Sequence, residues 1–204
     1  MKREKFTEMK EIPIPFSSPM VRAILEGKKN QTRMILKNIP MGAHKIWFDG
    51  ARWIIENKLK NTWSEKLNCK YERGGKLWVR ETWRKNDWPT GWPFEYRATA
   101  ERDMTPVDGP WRRSIFMPKE ACRIKLEVTD VSAERLNDIT DADALAEGVL
   151  SDQNIFVTGE LTEAYKTLWK SINGKGSWEK NPWVWVIKFD NINDKDCIIK
   201  NLPK

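Results

Sequence analysis

The chain of 204 residues contains a single histidine, His44. Zinc sites built on histidine need two or three of them, so none can form within one chain. A Ser-His-Asp or Cys-His triad would have to use His44 itself. Cysteine is scarce too: Cys69, Cys122 and Cys197 are widely spaced, with no C-x-x-C pair. That excludes a disulfide scaffold and a zinc ribbon. No apolar run approaches the length of a membrane span, so no membrane partner is expected. The first ten residues, MKREKFTEMK, lack an apolar core and predict no secretory leader. With so few cysteines, this places the protein in a reducing cytoplasm. There is no G-x-x-x-x-G-K-S/T loop and no G-x-G-x-x-G after a strand. No Asp/Glu spacing suggests a two-metal nuclease. Chemistry must then run on Lys, Ser/Thr, Tyr and carboxylates, with no metal and no cofactor expected.

What is abundant is tryptophan, with 12 residues, and basic charge, with a net +7. That much tryptophan excludes a disordered chain. The charge is uneven. Residues 1–80 hold 18 Lys/Arg against 8 Asp/Glu, a net +10, and residues 81–204 hold 18 against 21, a net −3. A basic first part suits a phosphate-bearing partner. A lysine-rich solvated surface reads the same way. The length fits one domain, spanning residues 1–204.

Residues 12–16, IPIPF, read as an edge strand, because proline cannot donate to a ladder. Ser18 and Pro19 then open a helix, with Met20/Ile24 and Val21/Leu25 toward a core and Gly27 as its stop. Residues 28–33 read as a basic, polar loop. Residues 46–55 predict a hairpin turning at Asp49-Gly50. Strands are expected over 76–83, 94–99, 122–131 and 183–190, and helices over 140–147 and 160–172. Cys122, Ile124, Leu126 and Val128 alternate as a buried face. Thr140 and Asp143 form a capping-box pattern. There is no regular β-α alternation, so a parallel Rossmann-type sheet is excluded. The pattern predicts an α+β fold, a small, mostly antiparallel barrel with flanking short helices.

Three constellations could carry chemistry. In Gly27-Lys28-Lys29-Asn30-Gln31-Thr32-Arg33 a helix ends on glycine and cationic and hydroxyl side chains follow. Such a loop can hold a phosphate, supply a Lys/Thr pair, or simply be solvated. Glu147 stands at the far end of its helix, where a negative charge gains nothing from the dipole. Asp138, Asp141 and Asp143 favour the start of that helix, a structural role. The tryptophans Trp78, Trp83, Trp88, Trp92, Trp111, Trp183 and Trp185 interleave with Arg80, Arg84, Arg97, Arg112 and Arg113. Bases stack on such side chains for about 1–3 kcal/mol each, although most of these rings must be core.

The ordered series SSPMVRAILEGKKNQTR, KLWVRETW, CRIKLEVTDVSAERLNDITDADALAEGV, AYKTLWKSING and WVWVIKF resembles the ASCH domain, and most of all its larger phage and prophage members. The resemblance covers nearly the whole chain, with insertions at about 38–74 and 84–118. It implies a PUA-like β-barrel linked to RNA and modified nucleosides, in a bacterial or phage-infected cytoplasm. Some compact members are amidohydrolases acting on N4-acetylcytidine. Carried over by motif, the resemblance implies Lys29, Thr32 and Glu147 as catalytic residues. Arg33, Arg80, Glu81 and Trp83 would line the substrate, with Trp83 stacking on the base. The family motif places its arginine one residue later than Arg33, and larger relatives carry a histidine where Phe116 stands in SIFMP. The partner implied is a modified nucleoside or RNA. Two other readings stand beside hydrolysis: a module that binds RNA or a modified base without chemistry, and a ribonuclease. Nothing in the sequence sets the oligomeric state.

Overall fold

Pairing partners decide which of these segments become strands. The computed structural model describes residues 11–85, 93–100, 109–149 and 160–192. In chain order the elements are β1 (Ile12–Pro15), α1 (Ser18–Leu25), β2 (Gln31–Ile35), β3 (Ala43–Phe48), β4 (Trp53–Asn57), β5 (Thr62–Leu67), β6 (Lys76–Arg80), β7 (Trp83–Lys85), β8 (Phe94–Tyr96), β9 (Lys125–Arg135), α2 (Asp141–Ala146), α3 (Glu160–Asn173) and β10 (Trp183–Asn191). The chain divides into two compact units. The first holds Met1–Leu25, Gly74–Val128 and Asp190–Lys204; the second holds Glu26–Arg73 and Thr129–Phe189.

In the first unit the strand order is β1-β6-β9. β1 runs parallel to β6, with Ile14 opposite Val79, and β6 runs antiparallel to β9, with Leu77 opposite Leu126. Pro13 and Pro15 keep β1 at the edge, as the sequence predicts. Ile14, Leu77, Val79, Ile124, Leu126 and Val128 are buried. Helix α1 buries Val21, Ala23 and Ile24, but Leu25 is exposed. The helix stops there, and Gly27, at φ 70°, turns the chain in the left-handed region that glycine enters most freely. The expected strand over 76–83 is two pieces: β6 ends at Arg80 and β7 starts at Trp83. β7 pairs with β8, Trp83 opposite Tyr96. Trp83, Tyr96, Met117 and Ala121 form a local core, so the 84–118 segment carries folded structure. Trp88, Trp92 and Cys197 lie outside the described residues.

In the second unit β2 pairs antiparallel with β10, Thr32 opposite Ile187 and Arg33 opposite Val186. Here the expected loop over 28–33 is corrected. Its second half is strand, because β10 supplies a backbone ladder that no local pattern in this polar stretch reveals. β3, β4 and β5 form an antiparallel sheet, so the 38–74 segment also carries folded structure. The Asp49 carboxylate accepts from the N–H groups of Ala51 and Arg52, both at 2.9 Å, which widens the expected two-residue turn. Leu136, Ala144, Leu161, Tyr165, Trp169, Val184 and Val186 pack into one cluster under α2 and α3. Ile172, near the end of α3, is exposed.

The capping box that opens α2 is formed as the sequence predicts. Thr140 accepts from Asp143 N–H at 3.2 Å, and the Asp143 carboxylate accepts from Thr140 N–H at 3.1 Å. Thr140→Ala is therefore expected to lower stability by about 1 kcal/mol, read as a lower urea midpoint at unchanged slope.

The architecture is α+β with mostly antiparallel pairing. The expected closed barrel is not formed among the described residues. In the first unit β1 has β6 as its hydrogen-bonded neighbour; in the second, β2 has β10. Each is a sheet edge.

Candidate functional site

The second unit gathers five charged side chains at the junction of β2, β9 and α2. The chain enters it just after Gly27. Lys28 points outward and pairs with Glu26 at 2.6 Å. Lys29 turns inward and is only 3% exposed. Asn30 N–H bonds Ala146 O at 3.0 Å, and Lys29 forms an antiparallel bridge with Glu147. This short pairing docks the strand entry onto the end of α2.

The Lys29 ammonium donates three hydrogen bonds: to Gln31 O at 2.6 Å, Glu147 O at 2.9 Å and Glu147 Oε2 at 2.8 Å. Those are all the donors an ammonium has. One of them satisfies a carbonyl at the end of the helix, which would otherwise lack a partner. Glu147 is 2% exposed and closes α2. Its other oxygen, Oε1, accepts from Arg33 Nη1 at 3.2 Å. The Arg33 guanidinium is fully buried and also meets Glu134 through Nε at 3.1 Å and Asp143 at 3.4 Å. Gln31 donates to Asp143 at 3.1 Å, and the Tyr165 ring lies 6.0 Å from the Arg33 guanidinium carbon.

Lys29, Arg33 and Glu147 are thus held out of water, while Glu134 and Asp143 reach its edge. Burial pushes the Lys29 ammonium below its ordinary value, against the pull of Glu147. Burial also raises the Tyr165 hydroxyl, with Glu147 adding to it. Asp143 is lowered: burial works the other way, but the hydrogen bonds from Thr140 and Gln31 prevail. A lysine whose charge burial opposes, 2.8 Å from a carboxylate, can pass its proton across that contact.

Lys29, Arg33 and Glu147 therefore meet. Thr32 does not join them. Along an extended chain side chains alternate, so 29, 31 and 33 share one face and Thr32 takes the other. On that other face Thr32 is buried opposite Ile187. No hydrogen bond joins its hydroxyl to Lys29 or Glu147. Arg33 falls on the Glu147 face for the same reason.

Arg80, Glu81 and Trp83 lie in the first unit and are engaged there. Arg80 donates twice to Met117 O, at 3.1 and 3.0 Å. Glu81 is buried and takes a bidentate pair from Arg123 at 2.8 and 2.9 Å, and burial raises its carboxyl despite that pair. Trp83 is buried in the local core, edge-on to Phe94 at 5.6 Å. Phe116 is exposed on a short turn, Ser114–Phe116.

Glu134, Asp143 and Gln31 complete the cluster without having been singled out for it. Asp143 carries a capping signal that accounts for only half of what it does. Glu134 closes an alternating strand and carries no signal at all. Burial pushes the Cys69 thiol up to about 11 and raises Cys122 as well, so neither is a thiolate at neutral pH. Among the described residues no three Asp, Glu, Cys or His side chains are grouped to hold a metal ion. No helix of the described residues is long and apolar enough to cross a membrane.

No family model and no curated protein matches this sequence. Solved structures do. One similar structure is an ASCH domain. It comes from Lactobacillus crispatus JV V101, at 12% identity and a TM-score of 0.43, and the match covers 95% of this chain and 87% of that one. Another is a protein of Enterococcus faecalis V583 with the family model DUF984. It has 10% identity and a TM-score of 0.41, covering 91% of this chain and 81% of that one.

Proposed function

We propose that the Lys29–Glu147 pair is the acid–base centre of a metal-free amidohydrolase that removes an acyl group from an N-acylated nucleobase. The observation that supports this is the buried contact of 2.8 Å between a lysine ammonium and a carboxylate. Taking both charges out of water costs several kcal/mol per ion. Packing alone does not require it, and perturbed pairs of this kind concentrate at reactive sites. The substrate class comes from the resemblance of the 27–32 motif to N4-acetylcytidine amidohydrolases.

In this reading the pair reacts in its neutral form, with the proton on Glu147. Water attacks the acyl carbon and gives a proton to Lys29 Nζ. The C–N bond breaks, and Glu147 protonates the departing exocyclic amine. The products are the carboxylic acid and the free amine. Lys29 then returns its proton to Glu147 across the 2.8 Å contact. Arg33 holds Glu147 Oε1 and keeps the carboxylate oriented. Water is favoured over Thr32 as nucleophile because Thr32 stands on the other face of β2. Incubation with N4-acetylcytidine is expected to yield cytidine and acetate, resolved by chromatography. The absence of both products at high enzyme concentration rules the hydrolase out.

The position of Thr32 favours a second reading, in which the domain binds a modified base without chemistry. N4-acetylcytidine then raises the melting temperature with no cytidine formed. Degradation of labelled RNA in the same preparation would instead mark a ribonuclease.

A further inference from the structure

We propose that the outer face of the β3-β4-β5 sheet is a docking surface for single-stranded nucleic acid. The three strands place side chains on two faces by simple alternation. Ile46 and Ile55, paired across β3 and β4, are buried, and two residues along β4 on the same face Trp53 meets Trp185 at 4.5 Å between ring centroids. That is the inner face. The other face carries Lys45, Trp47, Ile54 and Trp63. Trp47 and Trp63 stand edge to face at 5.2 Å, with the rings 86° apart, and the Lys45 ammonium lies 5.1 Å over the Trp47 ring. Glu56 shares this face, opposite Lys45 and Trp63.

Trp63 is 62% exposed. An indole left in water on a sheet face adds nothing to the core. It offers an open π-surface of the kind on which bases stack without regard to sequence. The surrounding charge fits the rest of a nucleotide. Lys45, Lys58 and Lys60 are exposed, and the latter two stand on the β4–β5 turn that leads into Trp63. Residues 38–74 hold seven Lys/Arg against four Asp/Glu, a net +3. Phosphates would neutralise these lysines. An ordered strand of bases in a duplex would hide the rings that Trp63 needs, so the occupant is single-stranded. This face is separate from the Lys29–Glu147 pair, and the proposal stands whether or not that pair turns over a substrate.

The test uses the full chain and fluorescein-labelled 12-mers of oligouridylate and oligodeoxythymidylate, followed by anisotropy, with a hairpin duplex as competitor. Both single strands are expected to bind and to quench tryptophan emission. Three lysines predict a log–log salt slope of about −2. Trp63→Ala is expected to weaken binding by about 5- to 150-fold, the loss of one stacked base, with the salt slope unchanged. K58E/K60E is expected to flatten the slope. Both sites are exposed, and circular dichroism confirms that the variants fold. Unchanged affinity in Trp63→Ala overturns the proposal, because binding is then to charge elsewhere on a +7 chain. So does a duplex that competes as well as a single strand. A concentration-dependent dimer that Trp63→Ala abolishes assigns the face to a second copy and overturns it equally.

Discussion

Glu147→Ala is expected to lower stability by about 3–5 kcal/mol, the range for breaking a buried ion pair from one side. The carboxylate is the shared acceptor of two cations. Its loss leaves the Lys29 ammonium sealed in without the carboxylate it pairs with at 2.8 Å. Arg33 keeps Glu134 and Asp143, so the penalty falls mainly on Lys29. Glu147→Gln keeps the volume and one acceptor and should cost less. The double change Lys29→Met with Glu147→Leu removes both charges and should recover much of the loss, because apolar pairs of similar volume replace buried ion pairs at little cost. Urea unfolding of wild type, Lys29→Met, Glu147→Leu and the double variant measures the coupling. Additive losses in the double variant would mean that the two side chains do not act as a pair.

Lys29→Met is expected to reduce turnover of an N-acylated nucleoside by about 10²- to 10⁴-fold, the usual contribution of a positioned acid–base group. Lys29→Arg should not rescue it, since arginine does not release its proton. The pH–rate profile carries the sharper signature. Burial lowers Lys29 from its ordinary value of 10.5, so activity should fall as pH rises through a midpoint below 10.5, where the pair loses the proton that Glu147 delivers. The same shift gives a sign for stability. A lowered lysine pKa in the folded state means that the buried ammonium costs stability at neutral pH. That cost is relieved as pH rises through the folded pKa towards the unfolded value of 10.5. Wild type should therefore gain on Lys29→Met over that alkaline window. A wild-type rate profile in Lys29→Met would remove the lysine from the mechanism altogether.

Local patterns were legible wherever neighbours in sequence settle the structure. The Thr140/Asp143 box opens α2, the alternation from Cys122 marks β9, and Pro13 and Pro15 hold β1 at an edge. Polar segments were not. Residues 31–35 contain no strand signal, yet they pair with β10 about 150 positions away. The strand over 76–83 stops at Arg80, and the next residue, Glu81, is held by Arg123, a partner 42 residues on. The same limit held at the site. Glu147 could be flagged as a charge badly placed for its helix dipole. Which cations answer it, and that Glu134 belongs with them, depends on contacts across 101 to 118 residues.

By itself the sequence determined the chemistry on offer. One histidine and three scattered cysteines left lysine, hydroxyl and carboxylate groups to do any work. It also placed Lys29 after a helix stop and Glu147 at a helix end. Tertiary structure alone decided which of them meet. Once residues 31–35 are drawn into a ladder, side chains alternate, and residues 29 and 33 are committed to one face and Thr32 to the other. A spacing of three reads as proximity in a loop and as separation in a strand. Only pairing with β10 settled which of the two it is.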